Sequence, residues 1–298
     1  MYCCFFLIRT IYQEINMKFS IANLVRGLLP VTLIFGCVTT LSGVDPRVKN
    51  GTKIAFMGDS ITDMGFWESG YCKLVVSGLA ANGIKIRPIA AGISNQSSRH
   101  MHKRIKPLMA KKPDLFFLSC GVNDIGQNVP LPEYEKNIRI IIDEAQKGGA
   151  GIFIMTASVV QEDLENEKNK RLVKYNDFLR SLAKEKNAVF VEINGNMQNE
   201  IRALRKKYPA MKNKRVVTVD GLHMNLRGDR LMAETVLRSL GLTDSQIEKA
   251  RTAWQKRRVS VPVTTTVAQW EMLYYKALSE GKTLPRFIRE KMAQEIKK

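Results

Sequence analysis

The sequence predicts an α/β fold in which a five-stranded parallel sheet is covered by helices on both faces. Five short apolar runs alternate along the chain with longer segments whose apolar residues recur at helical spacing. The short runs are continuous rather than alternating, which is typical of strands that are buried on both faces. The segments between them are long enough to form the helical crossovers that parallel strands need.

The predicted strands are mostly apolar and are separated by polar or turn-forming residues. In chain order they cover residues 53–57, 84–91, 114–120, 150–157 and 188–193. In a parallel sheet of this kind, ligands bind outside the carboxyl ends of the strands. The turns that follow the strands are therefore the places where functional residues are expected.

The predicted helices have apolar residues at helical spacing, and the first three end at clear stop signals. In chain order they cover residues 67–82, 97–112, 132–147, 163–187, 197–208 and 226–240. Gly83 ends the first helix, Pro113 follows the second, and Gly148 ends the third.

The chain changes character after this body. Residues 242–258 and 269–298 are predicted as two helices, joined by a β-branched stretch at 259–267. Basic residues outnumber acidic ones in this region, and no internal repeat is present. We therefore expect residues 242–298 to form a helical C-terminal extension.

The composition is that of a globular protein and excludes several classes. Of the 298 residues, 45% are hydrophobic and 25% are charged, which excludes a disordered chain, a collagen-like repeat and a polytopic membrane protein. The 47 Lys and Arg residues outnumber the 28 Asp and Glu residues, which gives a net charge of +19. Such an excess favours anionic partners: nucleic acid, anionic lipid headgroups or acidic polysaccharide.

The five cysteines are too few for a disulfide scaffold, and no CxxC pair is present to form a zinc ribbon. Only Cys72 and Cys120 lie in the predicted body. They are either two buried thiols or one disulfide, and buried thiols are favoured because free Cys is among the most buried residue types.

The N-terminal segment has the layout of an export signal. Within residues 17–37, basic residues precede an apolar stretch at 27–36 that is too short to span a bilayer. The stretch ends at Gly-Cys37, which resembles a bacterial lipoprotein cleavage box with Cys37 as the lipidated residue. Residues 1–37 are therefore predicted to direct export, with translation starting at Met17; an uncleaved membrane anchor is the alternative.

The turn after the first strand carries a candidate nucleophile. It reads Gly58-Asp59-Ser60, and the glycine allows the sharp bend that connects a strand to a helix. Ser60 is then expected at the start of a helix, at the mouth of the sheet. Its hydroxyl can attack a carbonyl if a base accepts its proton, and its N–H can hold an oxyanion. The alternative is that the turn only caps a helix.

Two more turns offer hydrogen-bond donors. Asn123 follows the third strand in the sequence Gly-Val-Asn-Asp, and its side-chain amide is a candidate oxyanion donor. Gly92 follows the second strand and can present its backbone N–H to the same anion. The alternatives are an Asx turn at Asn123 and a glycine that merely permits a turn at Gly92.

A candidate base precedes the last helix of the body. The chain has three histidines, and two of them lie on the predicted helix 97–112. The third, His223, follows Asp220 by three residues in a loop that leads back to the sheet. This spacing lets one loop present both side chains, with the carboxylate fixing the imidazole tautomer. A packed or solvated histidine is the alternative.

Together, these four motifs resemble those of the SGNH (GDSL-type) hydrolases, and they occur in that family's order over about residues 51–241. The resemblance implies a hydrolase domain over 51–241. It implies a flavodoxin-like three-layer α/β sandwich with strand order 2-1-3-4-5. Two positions depart from the family pattern: residues 92–97 lack its glycine-rich turn, and Met224 stands where many relatives have proline.

The resemblance also assigns roles to residues. It implies that Ser60 is the nucleophile, that His223 is the general base, and that Asp220 orients His223. The Ser60 N–H, the Gly92 N–H and the Asn123 side chain would form the oxyanion hole. The implied reaction is a two-step acyl transfer that needs no metal and no organic cofactor.

The family does not fix the substrate. An O-acetyl ester on a carbohydrate is our first expectation, because the chain combines a predicted export signal with no long apolar lid. A lysophospholipid or other lipid ester, or a thioester, is the alternative. A non-catalytic protein that binds anionic glycans is an alternative of another class.

Two basic stretches bear on the partners. Residues 99–112 and 201–219 contain many Lys and Arg residues and no acidic residue. We expect both to flank the active edge, where they would attract an anionic polymer or membrane surface; solvated helix faces are the alternative. No nucleic-acid motif is present, so no nucleic-acid partner is expected. The oligomeric state stays open.

Overall fold

The computed structural model describes residues 44–258 and 265–296. The predicted export segment at 1–37, with the proposed start at Met17 and the candidate lipidation site at Cys37, lies outside the described residues. Most of the predicted β-branched connection at 259–267 lies outside them too.

The core of the protein is a five-stranded sheet with all neighbouring strands parallel. The strands run in the order β2-β1-β3-β4-β5, which confirms the expected order. The strands are β1 (Lys53–Gly58), β2 (Arg87–Gly92), β3 (Leu115–Ser119), β4 (Gly151–Met155) and β5 (Val189–Val191).

A row of aromatic rings crosses the centre of the sheet. Phe56, Phe117 and Phe153 are in register on three neighbouring strands. Their rings are stacked, with centroids 5.3 Å apart for the first pair and 4.3 Å for the second. All three are buried. Aromatic neighbours across strands stabilise the sheet in the observed register. That register sets which residues lie at the carboxyl ends of the strands.

Helices cover the sheet on both sides and form the outer layers of the sandwich. They are α1 (Ser60–Met64), α2 (Tyr71–Ala81), α3 (Ser98–Met109), α4 (Val122–Gly126), α5 (Leu131–Lys147), α6 (Glu167–Glu185), α7 (Ile193–Lys207), α8 (Leu226–Ser239), α9 (Asp244–Trp254), α10 (Val267–Ser279) and α11 (Leu284–Ile296). Helix α2 packs against α8 and α9, whereas α3 packs against α5, which also contacts α6.

Most predicted elements differ from the observed ones by a few residues at their ends, and two of the differences have a clear cause. The second strand begins at Arg87 rather than at 84, because Gly83 has a φ of +83° and Ile84 donates its N–H back to Leu79 of α2. The C-terminal helix predicted at 269–298 is two helices. Its break falls at Gly281, whose φ of +64° is the left-handed conformation that ends helices.

The C-terminal region has two parts. Helix α9 joins the core through Trp254, whose indole N–H donates to the Leu74 carbonyl at 2.9 Å. Helices α10 and α11 pack on each other, with Ala277 and Phe287 buried.

Within residues 44–258 and 265–296, every helix is too short or too polar to cross a membrane. Cys72 and Cys120 are separate buried thiols, as favoured by the sequence.

Candidate functional site

The turn after β1 places Ser60 at the carboxyl edge of the sheet. Asp59 caps α1, and its side chain accepts the N–H of Ile61 at 2.9 Å. Ser60 is therefore the first residue of the helix rather than its cap. Burial raises the pKa of Asp59 to about 7. Ser60 itself is 6% exposed, so its hydroxyl lies at the bottom of the site rather than on the open surface.

The candidate base lies at the tip of a small hairpin. Val219 donates its N–H to the carbonyl of His223 at 2.9 Å, and Thr218 pairs with Met224 in an isolated antiparallel bridge. Asn225 then caps α8. This hairpin brings the end of a long loop back to the sheet. Backbone pairing of residues 218–219 with 223–224 holds His223 in place.

Asp220 organises the tip of the hairpin. Its Oδ1 accepts the backbone N–H groups of Leu222 at 2.9 Å and His223 at 2.8 Å. Its Oδ2 lies 2.6 Å from His223 Nδ1. Partial burial raises the pKa of Asp220, but the hydrogen bonds from His223 and Leu222 outweigh burial and lower it to about 2. Asp220 is therefore an anion over the whole ordinary pH range.

The structure joins three of the predicted site residues in one chain of hydrogen bonds. His223 Nε2 lies 2.8 Å from Ser60 Oγ, and His223 Nδ1 lies 2.6 Å from Asp220 Oδ2. An Nδ1–H that donates to the carboxylate leaves Nε2 as the acceptor for the serine proton. This arrangement can activate the hydroxyl as a nucleophile.

Gly92 ends β2 in register with Gly58, two residues before Ser60. A Cβ atom at position 92 would lie 2.2 Å from the backbone nitrogen of Asp63 and 2.6 Å from the carbonyl carbon of Thr62. No side chain fits in this gap. The glycine thus allows the second strand to lie directly against the backbone of α1, the helix that begins with Ser60.

Asn123 is hydrogen-bonded to the loop that follows β2. It lies on α4 after Gly121, whose φ of +142° requires a glycine. The Asn123 amide donates to the carbonyl of Gln96 at 3.0 Å, in the loop that follows Gly92. An amide nitrogen has a second N–H, so this bond fixes the side chain and leaves one donor for a ligand.

Asp124, the residue after Asn123, connects α4 to the start of α3. It is fully buried and accepts both the N–H of Ser98 at 3.1 Å and its hydroxyl at 2.6 Å, at the start of α3. Burial raises the pKa of Asp124. The motif around Asn123 drew attention to Asp124 in the sequence, but its bond to a helix that starts 26 residues earlier could not be predicted from spacing.

Arg104 is a residue that the sequence did not single out. It lies within a basic stretch that predicted a charged rim, yet its guanidinium turns inwards. It donates to Gly58 O at 2.9 Å, to Ala91 O at 2.7 Å and to Gln96 Oε1 at 2.5 Å. Burial lowers its pKa. The sequence could not identify Arg104, because its partners are two main-chain carbonyls and one side-chain amide, and such contacts leave no residue pattern.

The two basic stretches differ in position. Helix α3 begins at the site, but its far end lies near the opposite edge of the sheet, where Lys53 of β1 donates to the carbonyl of Lys111. Arg99 is paired with Glu133 at 2.5 Å. The expectation that the whole stretch 99–112 flanks the active edge is therefore wrong. The stretch 201–219 does lead directly into the hairpin with Asp220.

Among the described residues, no group of three or more His, Cys, Asp or Glu side chains is arranged to hold a metal ion. The side chain of Ser60 instead belongs to a hydrogen-bonded network, in which a hydroxyl, an imidazole and a carboxylate meet at one edge of the sheet.

Comparison with known proteins agrees with the family resemblance that the four sequence motifs indicate. A sequence model of the GDSL-like lipase/acylhydrolase family matches residues 56–231, more than half of the chain. An acetylxylan esterase from Geobacillus stearothermophilus is 26% identical over 219 residues, which are 65% of this chain and 96% of that enzyme.

Solved structures give the same result. The crystal structure of Axe2, an acetylxylan esterase from Geobacillus stearothermophilus, has a TM-score of 0.58 at 27% identity and covers 66% of this chain and 97% of that one. The acetyl xylan esterase AlAXEase has a TM-score of 0.56 at 27% identity, covering 62% of this chain and 97% of its own. The α/β sandwich and the motif resemblance are both confirmed.

Proposed function

Because the chain belongs to the GDSL-like lipase/acylhydrolase family and is a carboxylic ester hydrolase, we propose that it is a serine esterase that removes acetyl groups from a carbohydrate. The single observation that carries the proposal is the hydrogen-bonded chain from Ser60 through His223 to Asp220, with distances of 2.8 and 2.6 Å. It supports a nucleophile, a general base and an orienting carboxylate, in that order.

The first step forms an acyl-enzyme. His223 Nε2 accepts the hydroxyl proton while Ser60 Oγ forms a bond to the ester carbonyl carbon. The carbonyl oxygen becomes an oxyanion, which the N–H groups of Ser60 and Gly92 and the amide of Asn123 stabilise. The tetrahedral centre then collapses, the ester C–O bond breaks, and the alcohol leaves with the proton from His223.

The second step releases the acid. A water molecule gives a proton to His223 and attacks the acetyl carbon, and the same donors hold the new oxyanion. When the bond to Ser60 Oγ breaks, the serine recovers its proton from His223, and acetic acid leaves and ionises to acetate in solution. Asp220 stays ionised throughout, because hydrogen bonds hold its pKa near 2 against the effect of burial.

The nucleophile is tested by Ser60→Ala, which removes the only atom that becomes acylated. We expect loss of p-nitrophenyl acetate hydrolysis with the circular dichroism spectrum unchanged. An organophosphate should label the wild-type chain once, at Ser60, and leave the variant unlabelled. Full activity in Ser60→Ala would refute the mechanism, and a folded wild-type protein that neither turns over nor takes the label would favour a binding protein.

The acetyl-carbohydrate substrate is supported by the relatives, two of which are named as acetylxylan esterases. We therefore expect acetate release from acetylated xylo-oligosaccharides, and faster hydrolysis of acetyl than of octanoyl p-nitrophenyl esters. Lysophosphatidylcholine and an acyl thioester serve as competing substrates in the same assay. A preference for the octanoyl ester, or for the lysolipid, would assign a lipid ester instead.

A basic segment beside the site supports a contact with acidic glycans. We define the cationic segment as the Lys and Arg residues of 201–219; these are Arg202, Arg205, Lys206, Lys207, Lys212, Lys214 and Arg215. Among the described residues, only Arg205 of this segment lies within ion-pair distance of an acidic side chain, Glu162 at 3.8 Å. The other charges are left to attract an anionic polymer.

The charge effect is measured as kcat/KM at rising salt with a neutral and a uronate-containing acetylated oligosaccharide. Only the charged substrate should lose rate, since salt screens long-range attraction. Lys212→Gln/Lys214→Gln should reduce that loss. Lys111→Gln/Lys112→Gln, which removes the same charge at the opposite edge of the sheet, should not. Equal salt profiles for both substrates would contradict the contact, and binding to anionic vesicles alone would assign a membrane.

We also propose that the enzyme acts outside the cytoplasm. The support is the export pattern of residues 17–37 described above. Mass spectrometry of the protein from cell fractions tests this, because cleavage before Cys37 and a lipid on that residue each give a defined mass. A chain recovered intact from the cytoplasmic fraction would contradict export.

A further inference from the structure

Glu162 binds the segment that leads to His223. It follows β4 in the loop 156–166 and is only 4% exposed, although it carries a carboxylate. Its Oε2 accepts the N–H of Val216 at 2.7 Å. Its Oε1 accepts the N–H of Val217 at 3.0 Å, and the N–H and hydroxyl of Thr218 at 2.8 and 2.7 Å. One buried carboxylate thus receives four hydrogen bonds from three consecutive residues.

These contacts continue to the tip of the hairpin. Thr218 Oγ1, which donates to Glu162, accepts the N–H of Gly221 at 3.2 Å. Gln161, the neighbour of Glu162, donates its own N–H to the carbonyl of Gly221 at 2.6 Å. The N–H of Gly221 is therefore bonded to Thr218, and its carbonyl is bonded to Gln161. Gly221 is the residue directly after Asp220.

The loop with Glu162 is itself fixed to the body. Asn169 on α6 accepts the N–H of Val160 at 2.8 Å and donates to the carbonyl of Asp163 at 2.8 Å. Asn166, the cap of α6, donates to the carbonyl of Val160 at 2.9 Å. The loop that carries Glu162 is therefore bonded to the start of α6, while the Glu162 side chain binds residues 216–218.

We infer that Glu162 is a positioning residue for the reaction: it sets the place of the hairpin and thereby the distance from His223 Nε2 to Ser60 Oγ. Asp220 orients the imidazole within the hairpin but cannot fix where the hairpin lies, because its own side chain is half exposed and, among the described residues, bonds only 222 and 223. The bonds from Glu162 supply that anchor. This inference rests on the proposed roles of Ser60 and His223.

The chemistry of the contact requires a carboxylate. All four groups that face Glu162 from the hairpin are donors, and a carboxylate offers only acceptors. A glutamine of the same size would turn an amide N–H towards at least one of these donors and leave it unsatisfied in a buried place. The guanidinium of Arg205, with Nη2 3.8 Å from Oε2, places a positive charge beside this oxygen.

The test compares Glu162→Gln with Glu165→Gln in the same loop, an exposed carboxylate whose side chain makes no hydrogen bond to the hairpin within the described residues. Since displacements of about 1 Å cost about 100-fold in rate, we expect Glu162→Gln to lower kcat about 100-fold with KM nearly unchanged. Glu165→Gln should keep wild-type values. The nitrogen NMR shifts of the His223 ring should change in Glu162→Gln only.

A milder pair covers the case in which Glu162→Gln does not fold. Thr218→Val keeps the shape but removes the hydroxyl that links Glu162 to Gly221, and it should lower kcat about tenfold. Thr218→Ser retains the hydroxyl and should restore the rate. Measuring unfolding by denaturant alongside separates the rate effect from lost stability.

Several outcomes would overturn the inference. They are wild-type kcat in Glu162→Gln, equal rates in Thr218→Val and Thr218→Ser, and His223 ring shifts that are the same in all variants. The NMR measurement is repeated in the Ser60→Ala background, where no chemistry occurs. An active Ser60→Ala would therefore refute the proposed function, whereas unchanged His223 shifts there would refute the positioning role alone.

Discussion

Arg104 donates a hydrogen bond to the carbonyl of Gly58 at 2.9 Å and another to the carbonyl of Ala91 at 2.7 Å. Gly58 ends the strand before Ser60, and Ala91 precedes Gly92. One guanidinium thus connects the strand ends that carry two of the proposed oxyanion donors. We therefore expect the spacing between these donors to depend on Arg104, which bonds the carbonyls of Gly58 and Ala91 rather than the donors themselves.

Arg104→Met is expected to lower kcat about tenfold, because the two strand ends lose their common donor and the oxyanion hole widens. The affinity for a boronic acid that mimics the tetrahedral intermediate should fall in parallel, whereas KM changes little. Lys103→Met, an exposed neighbour on the same helix, is the matched control. An Arg104→Met enzyme with lower stability but unchanged inhibitor affinity would contradict the role.

Asn123→Ala is expected to lower kcat by about 100-fold while KM stays within a few-fold, because an oxyanion donor acts mainly on the transition state. Steady-state kinetics on an acetyl ester measure both constants. The organophosphate should still label Ser60, since the nucleophile and base remain. If KM rises and kcat is unchanged, Asn123 binds the substrate rather than the oxyanion.

Asp220→Asn is expected to lower kcat about a thousandfold, less than Ser60→Ala. The asparagine oxygen can still accept the N–H groups of Leu222 and His223, so its NH₂ would face His223 Nδ1. The imidazole would then carry its proton on Nε2, pointing at Ser60, which is the wrong tautomer for a base. The rate of organophosphate labelling measures the effect directly, and wild-type labelling would remove Asp220 from the mechanism.

Asp229 is expected to make the stability of the protein pH-dependent. Burial raises its pKa from 3.8 to about 7, against the opposing hydrogen bond from the N–H of Tyr71. A raised pKa means that the folded state binds the proton more tightly than the unfolded chain does. The stabilisation is complete below pH 3.8 and is lost as the pH rises through about 7.

Asp229→Asn keeps an acceptor for Tyr71 and removes the titration. Between pH 5 and pH 8, the free energy of unfolding should fall in the wild type by roughly 1–3 kcal/mol more than in Asp229→Asn. Urea unfolding at the two pH values measures the difference. Because Asp59 and all other groups titrate in both proteins, parallel profiles would mean that Asp229 is ionised in the folded state.

Much of the fold could be predicted from the sequence, because buried parallel strands leave continuous apolar runs such as the one around Phe117. The order of the strands came from the family resemblance. The exact start of β2 and the break at Gly281 could not be predicted, since each depends on one left-handed glycine within a pattern that otherwise continues.

The site could be predicted only where residues carry reactive groups. Ser60 and His223 stand out by their type and by the turns around them, and the structure brings them to 2.8 Å. Arg104 and Glu162 do not, because a charged side chain in a polar stretch predicts exposure. Their partners are mainly backbone groups of distant loops, which leave no trace in the residue pattern.

The close approach at Gly92 limits how this protein can evolve. Adding a single methyl group at that position would force β2 away from the backbone at Thr62 and Asp63. Because that backbone belongs to the helix that starts at Ser60, the methyl group would also shift the nucleophile. Variation in substrate preference must therefore arise elsewhere on the rim, in side chains that can change without moving this contact.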